Sequence, residues 1–166
     1  MNIRDAKDGD AAAICAIYNH YVAHSTISFE EDAVATGVME QRMAAVRAAG
    51  LPWLVIEQDG ALAGYAYASK WRDRHAYRYS VETTVYLAPG IARQGLGRAV
   101  YAALLARLTN AGFRVAIGGI AQPNTASVAL HETLGFEKVA HFKDVGFKFG
   151  RWIDVGYWQL LLGSAS

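Results

Sequence analysis

Between Ser80 and Asn110 the hydrophobic period changes abruptly, and this stretch restricts the fold more than any other. Ser80 to Leu87 is rich in β-branched residues and tyrosine, which predicts a strand. Ala88-Pro89-Gly90 breaks it, and Arg93-Gln94-Gly95-Leu96-Gly97-Arg98 follows. From about Gly97 to Asn110, Val100, Tyr101, Leu104, Leu105 and Leu108 recur at helical spacing, with Gly112 beyond the end. Glycines at alternate positions let backbone N–H groups converge on one point. The helix behind them adds unpaired N–H groups and the positive end of its dipole. Such a nest suits a pyrophosphate, and Arg93 and Arg98 could add charge-assisted bonds. Taken alone, the same residues equally describe an ordinary loop with a flexible helix start. Two nucleotide motifs do not fit: a Walker loop needs Gly-Lys-Ser/Thr where Gly97-Arg98-Ala99 stands, and position 100 is valine where the dinucleotide fingerprint needs a third glycine.

The remaining elements follow from the same periodicities. Ile3 opens a short strand; helices are predicted over about Asp10–His24, Gly37–Ala49 and Thr125–Thr133. Strands are predicted at Trp53–Glu57, Gly64–Ala68, Val115–Ile120, Phe136–Phe142 and Ile153–Leu162, with Asp59-Gly60 as a tight turn. Strands and helices interleave without repeats or a linker. The expected class is therefore α/β (α+β), a central mixed, mostly antiparallel sheet flanked by helices, in one domain over 1–166. The 53% hydrophobic and 19% charged composition is that of a globular chain. A net charge of +1 gives no case for nucleic acid, no apolar run is long enough for a membrane, and one cysteine, Cys15, fits a reducing cytoplasm. His20 and His24 have the spacing of a zinc helix but lack the adjacent glutamate and a third ligand, so no metal is expected.

The glycine loop and the segment Asn124-Thr125-Ala126-Ser127-Val128-Ala129-Leu130-His131-Glu132-Thr133-Leu134-Gly135-Phe136 together resemble the GCN5-related N-acetyltransferase (GNAT) superfamily. One position departs: Ala92 stands where Gln or Arg is usual, so the backbone contacts to a pyrophosphate are kept and a side-chain contact is lost. Val81-Glu82-Thr83-Thr84-Val85-Tyr86-Leu87, Leu130-His131-Glu132 and the segment from Gly146 to Leu160 narrow the resemblance to the phosphinothricin and methionine sulfoximine acetyltransferases. Tyr18-Asn19, Ser25 to Phe29 and Trp71 to Arg74 fit it too.

The resemblance implies acetyl-CoA as co-substrate, a small amine as acceptor, a cytoplasmic enzyme and a homodimer. Acetyl transfer needs the ammonium deprotonated and the thioester carbonyl hydrogen-bonded, and needs no metal. Glu82 is implied as the base, directly or through water, and His131 as a group near the coenzyme sulfur. Val85, Tyr86, Leu87, Arg93, Gln94, Gly95, Leu96, Gly97, Arg98 and Asn124 are implied to hold the coenzyme. Phe29, Trp71, Arg72, Asp73, Arg74, Glu82, Thr83 and Thr84 are implied to meet the acceptor, with Arg72 and Arg74 suited to grip an anionic group. A polyamine, another amino acid or a protein N-terminus is the alternative acceptor, and a non-catalytic acyl-CoA sensor the alternative class. The aromatic carboxy-terminal stretch, with Phe147, Trp152, Tyr157 and Trp158, fits either a subunit interface or core.

Overall fold

The structure, a computed structural model, describes residues 1–91 and 95–163. In chain order the elements are β1 (Asn2–Asp5), α1 (Ala11–His24), α2 (Thr36–Ala48), β2 (Trp53–Gln58), β3 (Ala61–Lys70), β4 (Ser80–Leu87), α3 (Leu96–Asn110), β5 (Val115–Ala121), α4 (Thr125–Thr133), β6 (Glu137–Lys148) and β7 (Arg151–Leu161). Short 3₁₀ turns occupy Asp8–Asp10 and His75–Tyr77. The described residues form one seven-stranded sheet in the order β1-β2-β3-β4-β5-β7-β6, in which β4 and β5 are the parallel pair. This is the mixed, mostly antiparallel sheet flanked by helices that the periodicities imply.

Two hairpins are closed by two-residue turns in which both residues have positive φ, the geometry that matches strand twist. Asp59 and Gly60 (φ 52° and 79°) join β2 to β3, and Phe149 and Gly150 (φ 54° and 72°) join β6 to β7. The second turn makes the last hairpin longer than its sequence suggests. β6 continues past Phe142 to Lys148, and β7 starts at Arg151 rather than Ile153. The periodicity fades there because the register shifts between Phe142 and Gly146, with Asp144 at φ 55°, so alternation is interrupted while pairing resumes.

Alternation along the strands separates two layers. On one face Tyr65 and Tyr67 stack with Trp53, and Tyr86 meets Tyr18 and Tyr21 of α1. On the other, the small residues Ala66 and Ala68 let α3 lie close, with Val100, Tyr101, Leu104 and Leu108 fully buried. Between α1 and α2 the chain has no regular structure. It is fastened instead by side chains: Asn19 bonds both the N–H and the C=O of Val34 (2.8 and 2.9 Å), and Glu30 accepts from Arg42 and from the Tyr18 hydroxyl.

Candidate active site

The site arises where the sheet comes apart. β4 and β5 pair from Ser80–Val115 to Glu82–Ile117 and no further. Past that point β4 runs on to Leu87 beside β3, and β5 runs on to Ala121 beside β7. The parting strands leave a wedge that opens at Glu82. Two cavities fill it. One, of about 310 Å³, is lined by Tyr18, Phe29, Glu82, Thr84, Gly119 and Tyr157 among others. The second, of about 420 Å³ and mostly apolar, is lined by Tyr21, Leu87, Gly95, Gly97, Arg98 and Leu130 among others. Ile27, Val85, Tyr86, Asn124 and Ser127 border both, so the cavities meet along the free edge of β4.

Gly95 to Arg98, at the start of α3, border the second cavity. Gly95 caps α3 at φ 74°, a left-handed conformation that glycine adopts without steric cost. Gly97 is buried, and a Cβ there would stand 3.3 Å from Leu87 and 3.7 Å from Leu130. The start of α3 thus approaches β4 and α4 as closely as a backbone can, while its first N–H groups have no helical partner. Leu96 turns into the core and Arg98 stays at the exposed rim. Asn124 is the N-cap of α4, its Oδ1 accepting from the Ser127 N–H at 3.1 Å, a cap generally worth about 1 kcal/mol. Arg93 and Gln94, expected to hold the pyrophosphate, lie outside the described residues. The backbone donors, the left-handed glycine and the apolar groove leading to Glu82 fit a long phosphorylated thioester.

Glu82 is half-buried at the head of the wedge. Desolvation raises its carboxyl above the usual range, opposed by the charge of Arg72. Its surroundings are aromatic. Tyr157 covers Gly119, where a Cβ would stand 3.1 Å from the ring, and Trp71 meets Tyr157 edge-on at 5.8 Å. Arg72 lies over Trp71 at 4.5 Å. Asp73 and Arg74 are exposed and line a different hollow, of about 220 Å³, shared with Arg72, Lys70 and Arg78. The structure therefore brings Phe29, Glu82, Thr83 and Thr84 into one cavity, places Trp71 against its Tyr157 wall, and does not bring Asp73 or Arg74 there. Tyr18 borders the same cavity. Burial and the neighbouring Glu30 carboxylate push its phenol up to about 12, so it stays protonated, with Ser28 Oγ at 2.7 Å.

Thr83 and His131 belong to a buried relay. The Thr83 and Tyr101 hydroxyls are 2.6 Å apart, and the Tyr101 hydroxyl is 3.0 Å from His131 Nε2. His131 Nδ1 is 2.7 Å from the Ser127 carbonyl oxygen. A carbonyl only accepts, so Nδ1 carries the hydrogen. Burial holds the imidazole below its ordinary pKa, against the Ser127 bond, so the ring is neutral near pH 7 and Nε2 accepts from Tyr101. Tyr101 in turn accepts from Thr83. The ring lies directly over Gly118, where a Cβ would meet Nε2 at 2.6 Å. Four further residues belong here: Tyr18, expected only as part of the family resemblance, Tyr157, expected at an interface or in the core, and Gly118 and Gly119, expected only as strand residues. The paired glycines inside a strand were the available signal, since glycine in a strand marks close approach of another group.

Comparison with known proteins gives a consistent result. The family profile described as "Acetyltransferase (GNAT) domain" matches residues 3–156. A phosphinothricin N-acetyltransferase of Alcaligenes faecalis is 47% identical over 153 residues, covering 92% of this chain and 78% of the relative. An L-methionine sulfoximine/L-methionine sulfone acetyltransferase of Salmonella typhimurium is 40% identical, covering 98% of this chain and 95% of the relative. A crystal structure of a GNAT superfamily phosphinothricin acetyltransferase from Sinorhizobium meliloti, in complex with acetyl-CoA, superposes with a TM-score of 0.94 at 39% identity, covering 98% of this chain and 88% of that one. With its profile match, its relatives and its splayed seven-stranded sheet in agreement, this chain belongs to the GNAT family of acetyltransferases.

Proposed function

We propose that the chain transfers the acetyl group of acetyl-CoA to the α-amine of a small amino-acid analogue of the phosphinothricin, methionine sulfoximine or methionine sulfone type. The observation that carries this reading is that the smaller cavity, which Glu82 lines, joins the apolar groove along Val85 and Tyr86 of β4. The apolar groove below the start of α3 takes the coenzyme arm, with the β4 edge at Val85 available to its amides as an added strand would be, while the Leu87 carbonyl already accepts from the Tyr21 hydroxyl at 2.6 Å. The smaller cavity takes the acceptor. Glu82 removes the ammonium proton, directly or through water, and its raised pKa makes it a stronger base than an exposed carboxylate. His131 shapes the cavity floor in this reading, since both its ring nitrogens are already bonded.

Among the arginines, Arg72 is favoured for the acceptor's anionic group, because its charge reaches Glu82 and Tyr157. Arg72→Ala is expected to raise the KM for a carboxylate-bearing acceptor about tenfold, a change of about 1.4 kcal/mol, and to spare acetyl-CoA. An unchanged constant in steady-state kinetics would move anion recognition to Arg74 or elsewhere. A thiol-release assay over an amine panel tests the function as a whole. Turnover with methionine sulfone or phosphinothricin is expected; turnover with polyamines alone would change the substrate class, and coenzyme binding without turnover of any amine would make the chain a sensor.

The hairpin β6–β7 exposes Phe142, Phe147, Phe149 and Trp152, the last at 65% exposure, whereas Trp158 is core. An apolar surface of this kind fits a second copy of the chain, as expected for a homodimer. Sedimentation at micromolar concentration should show the dimer, and a monomer there would overturn it. Among the described residues no helix is long and apolar enough to cross a membrane.

A further inference from the structure

Lys148 is buried to 1% exposure at the end of β6, and the chemistry at Glu82 does not use it. Its Nζ donates to the carbonyl oxygens of Val22 (2.8 Å) and Ser28 (2.7 Å). Val22 is in the last turn of α1, where the next residue able to bond its carbonyl would lie beyond the helix. An ammonium there both pairs that carbonyl and meets the negative end of the helix dipole. Ser28 lies in the irregular segment after α1. Two residues before Lys148, and so on the same face of β6, stands Gly146. A Cβ at Gly146 would sit 2.5 Å from the ring of Phe29, so the strand there is a seat for that ring. The Phe149–Gly150 turn sets the register that pairs Lys148 with Arg151 and aims both positions at the loop.

Ile27, Ser28 and Phe29 all line the cavity that holds Glu82; Ile27 stands at its border with the apolar groove, and Ser28 and Phe29 line the smaller cavity alone. Within Ser25–Phe29 the backbone has one bond of its own to regular structure, Ser25 N–H to Tyr21 C=O. Where this wall stands therefore depends on side chains reaching it from outside. The groups facing Lys148 are the two carbonyls, the Phe149 ring at 5.0 Å, and the carboxylates of Glu30 and Glu31, whose charges act on it through space. We infer that Lys148, with Gly146, is a positioning device for the acceptor cavity: it fastens the Ile27–Phe29 wall to β6 and so fixes the distance between Phe29 and Glu82. Lys148 touches neither substrate. It acts through Ser28 and Phe29, and its effect falls on acceptor recognition more than on the coenzyme. This inference rests on the assignment of the smaller cavity to the acceptor amine.

The test uses the full chain with methionine sulfone as acceptor. Lys148→Met keeps an unbranched side chain one atom shorter and removes its donors. It is expected to raise the acceptor KM at least tenfold, to change the KM for acetyl-CoA less than threefold, and to lower kcat less than it raises KM. Amide hydrogen exchange should quicken over residues 22–31. Gly146→Ala evicts Phe29 without touching the buried charge, and is expected to show the same pattern, so it decides the matter if Lys148→Met does not fold. A folded variant with unchanged acceptor KM and unchanged exchange would overturn the inference. Absence of turnover of any amine by the wild type would overturn the proposed function instead, while the exchange measurement, which needs no acceptor, still decides the fastening.

Discussion

Glu82→Gln is expected to lower turnover by about two to four orders of magnitude, the usual contribution of a positioned base, with affinity for acetyl-CoA changed only a few-fold. The amide has nearly the shape of the carboxylate but cannot take a proton. Glu82 lines the cavity proposed for the acceptor and does not border the apolar groove, which is why coenzyme affinity should survive. In the wild type the rate should rise with pH as the carboxyl ionises, through a value above the ordinary 4.5 because the side chain is desolvated. The variant should lose that limb of the profile. A glutamine variant with near wild-type turnover, or a wild-type profile with no ionisation above the ordinary range, would remove Glu82 from the mechanism.

The same substitution should make the protein more stable near neutral pH. A carboxyl whose folded pKa is raised favours the fold while protonated, below the unfolded value of about 4.5, and that contribution is lost as pH rises through the folded value. At pH 7 wild-type Glu82 is therefore a cost, which glutamine removes. Each kcal/mol recovered corresponds to roughly 2–4 °C in Tm for a chain of this size. The Tm difference should shrink toward pH 4. Opposite movement of activity and stability is the signature of a strained functional carboxylate, and a surface glutamate would show neither effect.

Gly118→Ala should cost stability on the scale of roughly 3 kcal/mol, or about 6–12 °C in Tm. The added Cβ would lie 2.6 Å from His131 Nε2 and 2.8 Å from its Cδ2. His131 cannot retreat easily, because Tyr101 and Phe136 hold the ring at centroid distances of 5.1 and 5.0 Å. Moving the imidazole breaks its 3.0 Å bond with the Tyr101 hydroxyl and leaves buried polar atoms unpaired, generally a cost of about 1–3 kcal/mol each. Thermal or urea unfolding checks this. A variant as stable as the wild type would show that the relay is slack and that the packing of α4 on β5 tolerates a methyl group.

Much of this site could be read along the chain, because its parts are local patterns. The strand from Ser80 to Leu87, the turn at Pro89-Gly90 and the helix after Gly97 announce themselves by a change of period, and Gly95 by its need for positive φ. The Asn124 cap precedes its helix as capping chemistry predicts. Asp59-Gly60 specified its hairpin turn outright. Chain order and the alternation of Glu82 with Thr83 were visible in the same way, but not which neighbours each would meet.

Those neighbours come from contacts between residues far apart in sequence, which no local period encodes. Thr83 and Thr84 are adjacent and chemically alike and both border the cavity, yet the pleat sends one hydroxyl to Tyr101 and the other to Tyr67. Arg72 and Arg74 looked equivalent, and only the fold sets Arg72 over Trp71 with its charge reaching Glu82, while both border the separate hollow. Lys148 reads as a surface lysine until β6 is laid against α1 and its ammonium meets two carbonyls more than a hundred residues away. The strand, the turn and the glycine-started helix were thus legible in local backbone chemistry, whereas the role expected of Glu82 came only from the family resemblance. The wedge at Glu82, the raised pKa within it and the fastening of its wall were decided only when β4 and β5 parted in three dimensions, because burial and long-range pairing exist only in the packed chain.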